Sequence, residues 1–157
     1  MGSALETGTP SFVDRFPQEA SVVKAALTSS FIALFLGAVF GIIQGLHRTE
    51  VFRFLDSQFY YTVLTAHGVL MVVSFTIFFL VGIFTWAVVR SLDRPVEDIR
   101  YTWAWYGLMV VGTLMAVVAI LGGFVPSTEL SADVLYTFYA PLQAHPLFYG
   151  GLATFII

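Results

Sequence analysis

Cysteine is absent from the 157 residues, and that absence excludes several classes of protein at once. No disulfide framework, thiolate metal site or cysteine nucleophile can be built within them. Charged residues are also scarce, at 11% of the sequence, whereas a soluble domain usually carries about 25%. So few charges cannot cover a water-facing surface. The formal net charge is −3 with no basic run, so nothing indicates nucleic acid as a partner.

Apolar residues take the place of the missing charges, at 58% of the sequence with a mean hydropathy of +0.86. Three apolar stretches exceed the roughly 20 residues that a helix needs to cross a bilayer, and a fourth begins close to the last residue. Their approximate limits are 22–46, 60–89, 101–125 and 147–157. The first twenty residues lack the basic-then-apolar layout of a secretory signal. The sequence therefore predicts an all-α, polytopic transmembrane helical bundle with three full helices and the start of a fourth.

The fourth stretch, LFYGGLATFII, reaches Ile157 after only about half a bilayer crossing. A half-span cannot end in hydrocarbon with its last carbonyl groups unpaired. We therefore expect residues 1–157 to be the N-terminal fragment of a longer polypeptide, with the last helix truncated.

The basic residues predict an orientation, because lysine and arginine favour the cytoplasmic side of a membrane. Most of them flank the N-terminal side of the first stretch or lie between the second and third stretches, namely Arg15, Lys24, Arg90, Arg94 and Arg100. We expect a multi-pass protein of the cell (plasma) membrane with a cytoplasmic N-terminus. Residues 47–59 and 126–145 would then lie outside.

His67 is the sharpest candidate functional residue, since it lies inside an apolar helix, about two turns or roughly 10 Å from the outer end. An ionisable side chain at that depth is costly and indicates a functional site. A neutral imidazole suits a haem iron as axial ligand, with the second ring nitrogen donating a hydrogen bond. The alternative is a histidine that bonds a neighbouring helix and holds no metal. Position and chemistry alone leave both readings open.

The first stretch carries a ridge of small residues, Gly37, Gly41 and Gly45, at four-residue spacing. Such ridges usually let two helices approach closely, although a face toward a cofactor is the alternative. Gln44 lies beside the ridge and could bond a cofactor, a backbone group or a lipid headgroup.

Two runs of residues resemble a known family. The run YYTVLTAHGVLM resembles the second helix of the large haem-binding subunit of the haem–copper oxygen reductases, cytochrome c oxidase subunit I. The run VLYTFYAPLQAHPLFY is similar to that family's outer loop before its fourth helix, with Ala140 where the family usually has a proline. The resemblance covers nearly the whole chain but only the first quarter of such a subunit. It implies that His67 is an axial ligand of the low-spin haem.

The resemblance also implies a function for the whole subunit: reduction of O2 to water with proton translocation in a respiratory chain. The cofactors would be a low-spin haem of b or a type, with a high-spin haem and a copper ion (CuB) held by the missing C-terminal part. Membrane lipid, other oxidase subunits, including a subunit II with a copper centre, and a soluble donor such as cytochrome c or a blue copper protein would be partners. The fragment alone is not expected to be active.

The connection between the second and third stretches, SLDRPVEDIR, points to the B class of these enzymes. A-class members carry an asparagine-rich stretch and a proton-channel aspartate there, whereas this connection is short and lacks that pattern. Asp93, Glu97 and Asp98 are interpreted as solvated interface charges, and Pro95 is placed to start the third helix.

Other aromatic and histidine residues have no assigned role from the sequence. His145 is either a contact of the haem propionates or an ordinary interface residue, and Tyr136 and Tyr139 pack over haem edges or belong to the aromatic belt. His47 is expected to be a solvated interface residue. The rival functions are a nitric oxide reductase large subunit and a cofactor-free membrane transporter or assembly protein.

Overall fold

The computed structural model describes residues 10–49, 53, 55–125, 129–132 and 143–157. In those ranges the single strand-like pairing is an isolated antiparallel bridge between Ala132 and Ala144. The helices are a short α1 (Phe12–Arg15), the first span (Pro17–Arg48), the second span (Ser57–Leu92), the third span (Ile99–Gly122) and the fourth helix (Pro146–Ile156). The three spans are long and apolar enough to cross a membrane. The predicted all-α fold class, with three full helices and a shorter fourth, is confirmed.

Local capping sets the first residue of the second span and of the third span. The second span begins at Ser57 because the Asp56 carboxylate accepts a hydrogen bond from the N–H of Phe59. The third span begins at Ile99, where Asp98 caps it. Pro95, expected to start that helix, lies in the preceding turn instead.

The third span ends at Gly122, before the predicted limit of residue 125. The N–H of Gly123 bonds the carbonyl of Ile120. The N–H groups of Phe124 and Val125 likewise bond the carbonyls three residues before them. These bonds tighten the last turn, and they satisfy carbonyl groups that the end of a helix leaves unpaired.

The end of the bundle that holds residues 12–16 and 93–98, which we call the proximal end, is fastened by several contacts. Arg15 forms an ion pair with Asp93, which ends the second span in the left-handed region at φ 53°. The Glu19 side chain is only 4% exposed and accepts a hydrogen bond of 2.9 Å from the N–H of Val96. The residues interpreted as solvated charges are indeed exposed here, but Asp93 also ties α1 to the end of the second span.

The second span contains a seven-residue π-helical segment, Val69–Phe75, directly after His67 and Gly68. A π-helix bonds each N–H to the carbonyl five residues back and so holds one residue more than an α-helix would. Ala66 and Phe78, twelve positions apart, would lie about a third of a turn apart around a regular α-helix. Both instead pack against the third span and the fourth helix. The extra residue therefore keeps Ala66 and Phe78 on the same face of the second span.

The third span and the fourth helix approach each other at two glycines. A Cβ atom on Gly112 would lie 2.5 Å from the carbonyl oxygen of Gly151 and from the backbone nitrogen of Phe155. On Gly151 it would lie 2.7 Å from the backbone nitrogen of Ala116. Only residues without a side chain allow backbones this close.

Two apolar clusters fill the space between the second span, the third span and the fourth helix. The distal cluster, at the end opposite to the proximal end, is made mainly of small residues around Phe148 and Leu152. The other is built from Phe78, Met109 and Phe155, with Phe78 and Phe155 5.5 Å apart between ring centroids in an edge-on arrangement. Large apolar side chains such as Phe35, Phe84 and Leu114 remain exposed, as lipid-facing surfaces require.

Gly112→Ala should destabilise the pairing of the third span with the fourth helix, because its Cβ meets backbone atoms that cannot move aside. The expected cost is about 1–3 kcal/mol, as for other overpacked interiors. Gly107→Ala is the matched control on the same span, since nothing lies within 4 Å of its added Cβ. Thermal unfolding in lipid nanodiscs gives the comparison, and equal melting temperatures for the two variants would contradict the close-approach argument.

Deletion of Val72, which is 51% exposed in the middle of the π-helical segment, should convert that segment to α-helix. The contacts of either Ala66 or Phe78 are then lost, because the two halves of the span no longer share a face. We expect a fall of more than about 2 kcal/mol in unfolding free energy, comparable with loss of a large core side chain. Val72→Ala, which keeps the residue count, should be nearly neutral. A deletion variant as stable as Val72→Ala would show that the register does not matter.

Candidate functional site

His67 lies deeper in the second span than the sequence predicts. The helix begins at Ser57 rather than near Tyr60, so the histidine stands about 15 Å along the axis from its start at 1.5 Å per residue. The side chain is partly buried and faces the first span. A titratable ring at this depth needs a specific partner for each polar atom that it buries.

The first span supplies one such partner through its backbone. Nδ1 of His67 lies 2.8 Å from the carbonyl oxygen of Gly37. A carbonyl oxygen can only accept, so Nδ1 carries the proton and donates, and a neutral ring then has its lone pair on Nε2. Within the described residues this is the single hydrogen bond of the His67 side chain. The geometry therefore leaves Nε2 as an available electron-pair donor.

The three glycines of the ridge on the first span have different surroundings. A Cβ on Gly41 would lie 2.9 Å from Cε1 and 3.0 Å from Nδ1 of His67, so the imidazole rests directly on the bare backbone. A Cβ on Gly37 would meet the side chain of Met71, at 2.8 Å from Cγ and 2.9 Å from Sδ. Nothing lies within 4 Å of a Cβ on Gly45. Close helix approach, the usual role of such ridges, holds for Gly37 and Gly41 but not for Gly45.

Gln44 binds the backbone just before His67. Its side chain is 6% exposed, and its Nε2 donates to the carbonyl of Val63 at 3.4 Å. In an α-helix that carbonyl also accepts from the N–H four residues on, which is His67. Of the three partners considered for Gln44, the structure shows a backbone group. The contact stabilises the helical turn that carries the histidine.

The other two histidines organise loops at the distal end. Nδ1 of His47 accepts a hydrogen bond of 3.1 Å from the N–H of Leu55, and its ring packs 5.1 Å from that of Tyr60. His145 caps the fourth helix, where its Nδ1 accepts from the N–H of Leu147 at 3.1 Å. Through Nδ1, both histidines thus serve local backbone structure.

The two tyrosines considered beside the haem, Tyr136 and Tyr139, and the departure at Ala140 lie outside the described residues. Among the residues that are described, no group of three or more histidine, aspartate or glutamate side chains could hold a metal ion.

Several interior polar groups were not predicted from the sequence. Ser29 and Tyr106 share a hydrogen bond of 2.8 Å between the first and third spans. Glu19 is buried at the proximal end, as described above, and the Oγ1 atom of Thr62 is buried without a partner among the described residues. Of these residues, only Glu19 stands out in the sequence, because it is acidic and lies in the first turn of an apolar helix. The sequence does not show which group it bonds.

Comparison with known proteins gives matches over most of this chain. The family model for cytochrome c and quinol oxidase polypeptide I matches residues 21–157. Cytochrome c oxidase subunit 1 of Thermus thermophilus is 34% identical in an alignment of 139 residues that covers 83% of this chain. A chain from a cryo-EM structure of a haem–copper terminal oxidase dimer is similar with a TM-score of 0.75 and 32% identity, over 89% of this chain.

This chain spans 23% of the length of each of those two relatives. The family match nevertheless covers most of the chain, including the first, second and third spans with His67. The chain therefore belongs to the family of cytochrome c and quinol oxidase polypeptide I, the subunit I of haem–copper oxidases.

Proposed function

We propose that His67 is an axial ligand of a low-spin haem iron, bound through Nε2. The observation that carries the proposal is the hydrogen bond from Nδ1 to the Gly37 carbonyl, which directs the proton to one ring nitrogen and the lone pair to the other. Histidine ligands of metals almost always have such a partner on the second nitrogen, and it increases their basicity. Family membership supports the proposal, because it implies haem and copper cofactors.

The surroundings of His67 suit this role. The ring lies within an apolar membrane span and is partly buried there. Bound haem would supply a reversible one-electron Fe(III)/Fe(II) couple, and with two imidazole ligands it would relay electrons without binding oxygen. The chain holds the imidazole and directs its Nδ1 proton to the Gly37 carbonyl. A stronger donor favours Fe(III), so the Gly37 hydrogen bond should lower the midpoint potential.

At the level of the whole protein, we propose the catalytic subunit of a B-class terminal oxidase that reduces O2 to water with proton translocation. The second axial histidine, the high-spin haem and CuB would belong to parts of the subunit beyond these residues. Its partners would be a copper-bearing subunit II and a soluble donor such as cytochrome c or a blue copper protein. The N-terminus would be cytoplasmic.

The test is a reduced-minus-oxidised optical spectrum of membranes that contain the full-length subunit. His67→Ala should abolish the low-spin haem band, because it removes the ligand atom. His47→Ala is the control at the same end of the bundle, and it should keep the band because that ring serves the loop at Leu55. A low-spin band that survives unchanged in His67→Ala would reduce His67 to a packing residue and remove the haem assignment.

Chemical rescue separates loss of a ligand from loss of structure. His67→Gly leaves a space of imidazole size against Gly41, and added imidazole can donate to the same Gly37 carbonyl. We expect the low-spin band to return in proportion to the imidazole that binds. If neither imidazole nor 4-methylimidazole restores the band, the direct ligand role loses its support.

A further inference from the structure

We infer that Gly41 is a positioning residue for the haem ligand, one that sets the plane of the His67 imidazole. The inference rests on the proposed ligand role and adds to it a determinant of how the ring is oriented. The equal sequence spacing of Gly37, Gly41 and Gly45 does not show which of the three glycines positions the ring. The surroundings of the three glycines do distinguish them.

A hydrogen bond alone does not fix a ring plane. The contact from Nδ1 to the Gly37 carbonyl holds one point of the imidazole, but the ring can still tilt about that point, since a carbonyl oxygen accepts over a broad range of directions. Rotation about the bond to the ring is also soft, because torsions of this kind have broad minima. A second contact is needed to fix the orientation.

Gly41 provides that contact. A Cβ placed on it would lie within 3.0 Å of Cε1 and Nδ1 but 3.8 Å from Nε2. The backbone of the first span therefore supports the Nδ1–Cε1 edge of the ring and approaches Nε2 less closely. Gly37 and Gly41 belong to one continuous helix, Pro17–Arg48, so the hydrogen bond and the supporting contact move as a rigid pair.

A methyl group at position 41 cannot be accommodated without moving the ring. Both atoms that it meets belong to a planar ring whose Nδ1 is tied to the same helix, whereas the corresponding neighbour of Gly37 is the flexible thioether of Met71. Either the imidazole tilts or its hydrogen bond lengthens. A tilt changes the orbital overlap of Nε2 with the iron, and a longer bond weakens its donation.

The experiment compares three alanine variants of the full-length subunit in membranes: Gly41→Ala, Gly37→Ala and Gly45→Ala. The readouts are the low-temperature EPR g-values of the oxidised low-spin haem and its midpoint potential, which a purely structural role would leave unchanged. Gly41→Ala should shift the g-values and the potential, or lose the low-spin band with normal amounts of subunit present. Gly45→Ala should match the wild type, because its Cβ meets nothing, and Gly37→Ala should shift far less than Gly41→Ala.

Wild-type g-values and potential in Gly41→Ala would overturn the inference, as would an equal change in Gly37→Ala or Gly45→Ala. A second measurement needs no variant: solid-state NMR of the wild-type subunit should show a through-space cross-peak between Gly41 Cα and His67 Cε1, and its absence would also overturn the inference. Retention of the low-spin band in His67→Ala would contradict the ligand role itself. Loss of the band in that variant, with Gly41→Ala unchanged, removes only the role of Gly41.

Discussion

The backbone of the first span lies against the second span at Gly37 and Gly41, and this contact governs what the histidine between them can do. A Cβ at position 41 would meet the His67 ring at 3.0 Å or less, whereas a Cβ at position 37 would meet first the flexible side chain of Met71. Their approach puts a backbone carbonyl within 2.8 Å of His67. Polar bonds are stronger in such a low-dielectric interior than in water.

The same contact explains how a titratable ring is tolerated inside an apolar span. Burying a polar atom without a partner costs several kcal/mol in a membrane, and Nδ1 avoids that cost by bonding the Gly37 carbonyl. No equivalent partner from the described residues serves Nε2. If a ligand binds at Nε2, as proposed, its binding would add to the stability of the bundle, because it would satisfy the remaining polar atom of the ring. An apo form should consequently be less stable than a loaded one.

Much of this arrangement can be predicted from composition and motif. The scarcity of charge predicts the three spans. The resemblance of the residues around His67 to the oxidase family predicts a haem ligand, which stays a prediction. Gly37, Gly41 and Gly45 share one spacing, however, so only the packing of the second span shows that Gly45 is open. Pro95 suggested a helix start because a proline fits the first turn, but the Asp98 cap decides the start. Apolar periodicity cannot distinguish a π-helical segment from an α-helix when most neighbouring residues are apolar.

The π-helical segment also limits how the second span can change over evolution. The face at Ala66 and the face at Phe78 meet the same neighbours only because the chain between them has its present number of residues. A single insertion or deletion there rotates one half of the helix by about 100° relative to the other. Loops of the protein can vary in length at little cost, whereas this stretch can drift only by substitution. Aligned homologues should therefore be free of gaps between these two positions, even where their identities have diverged.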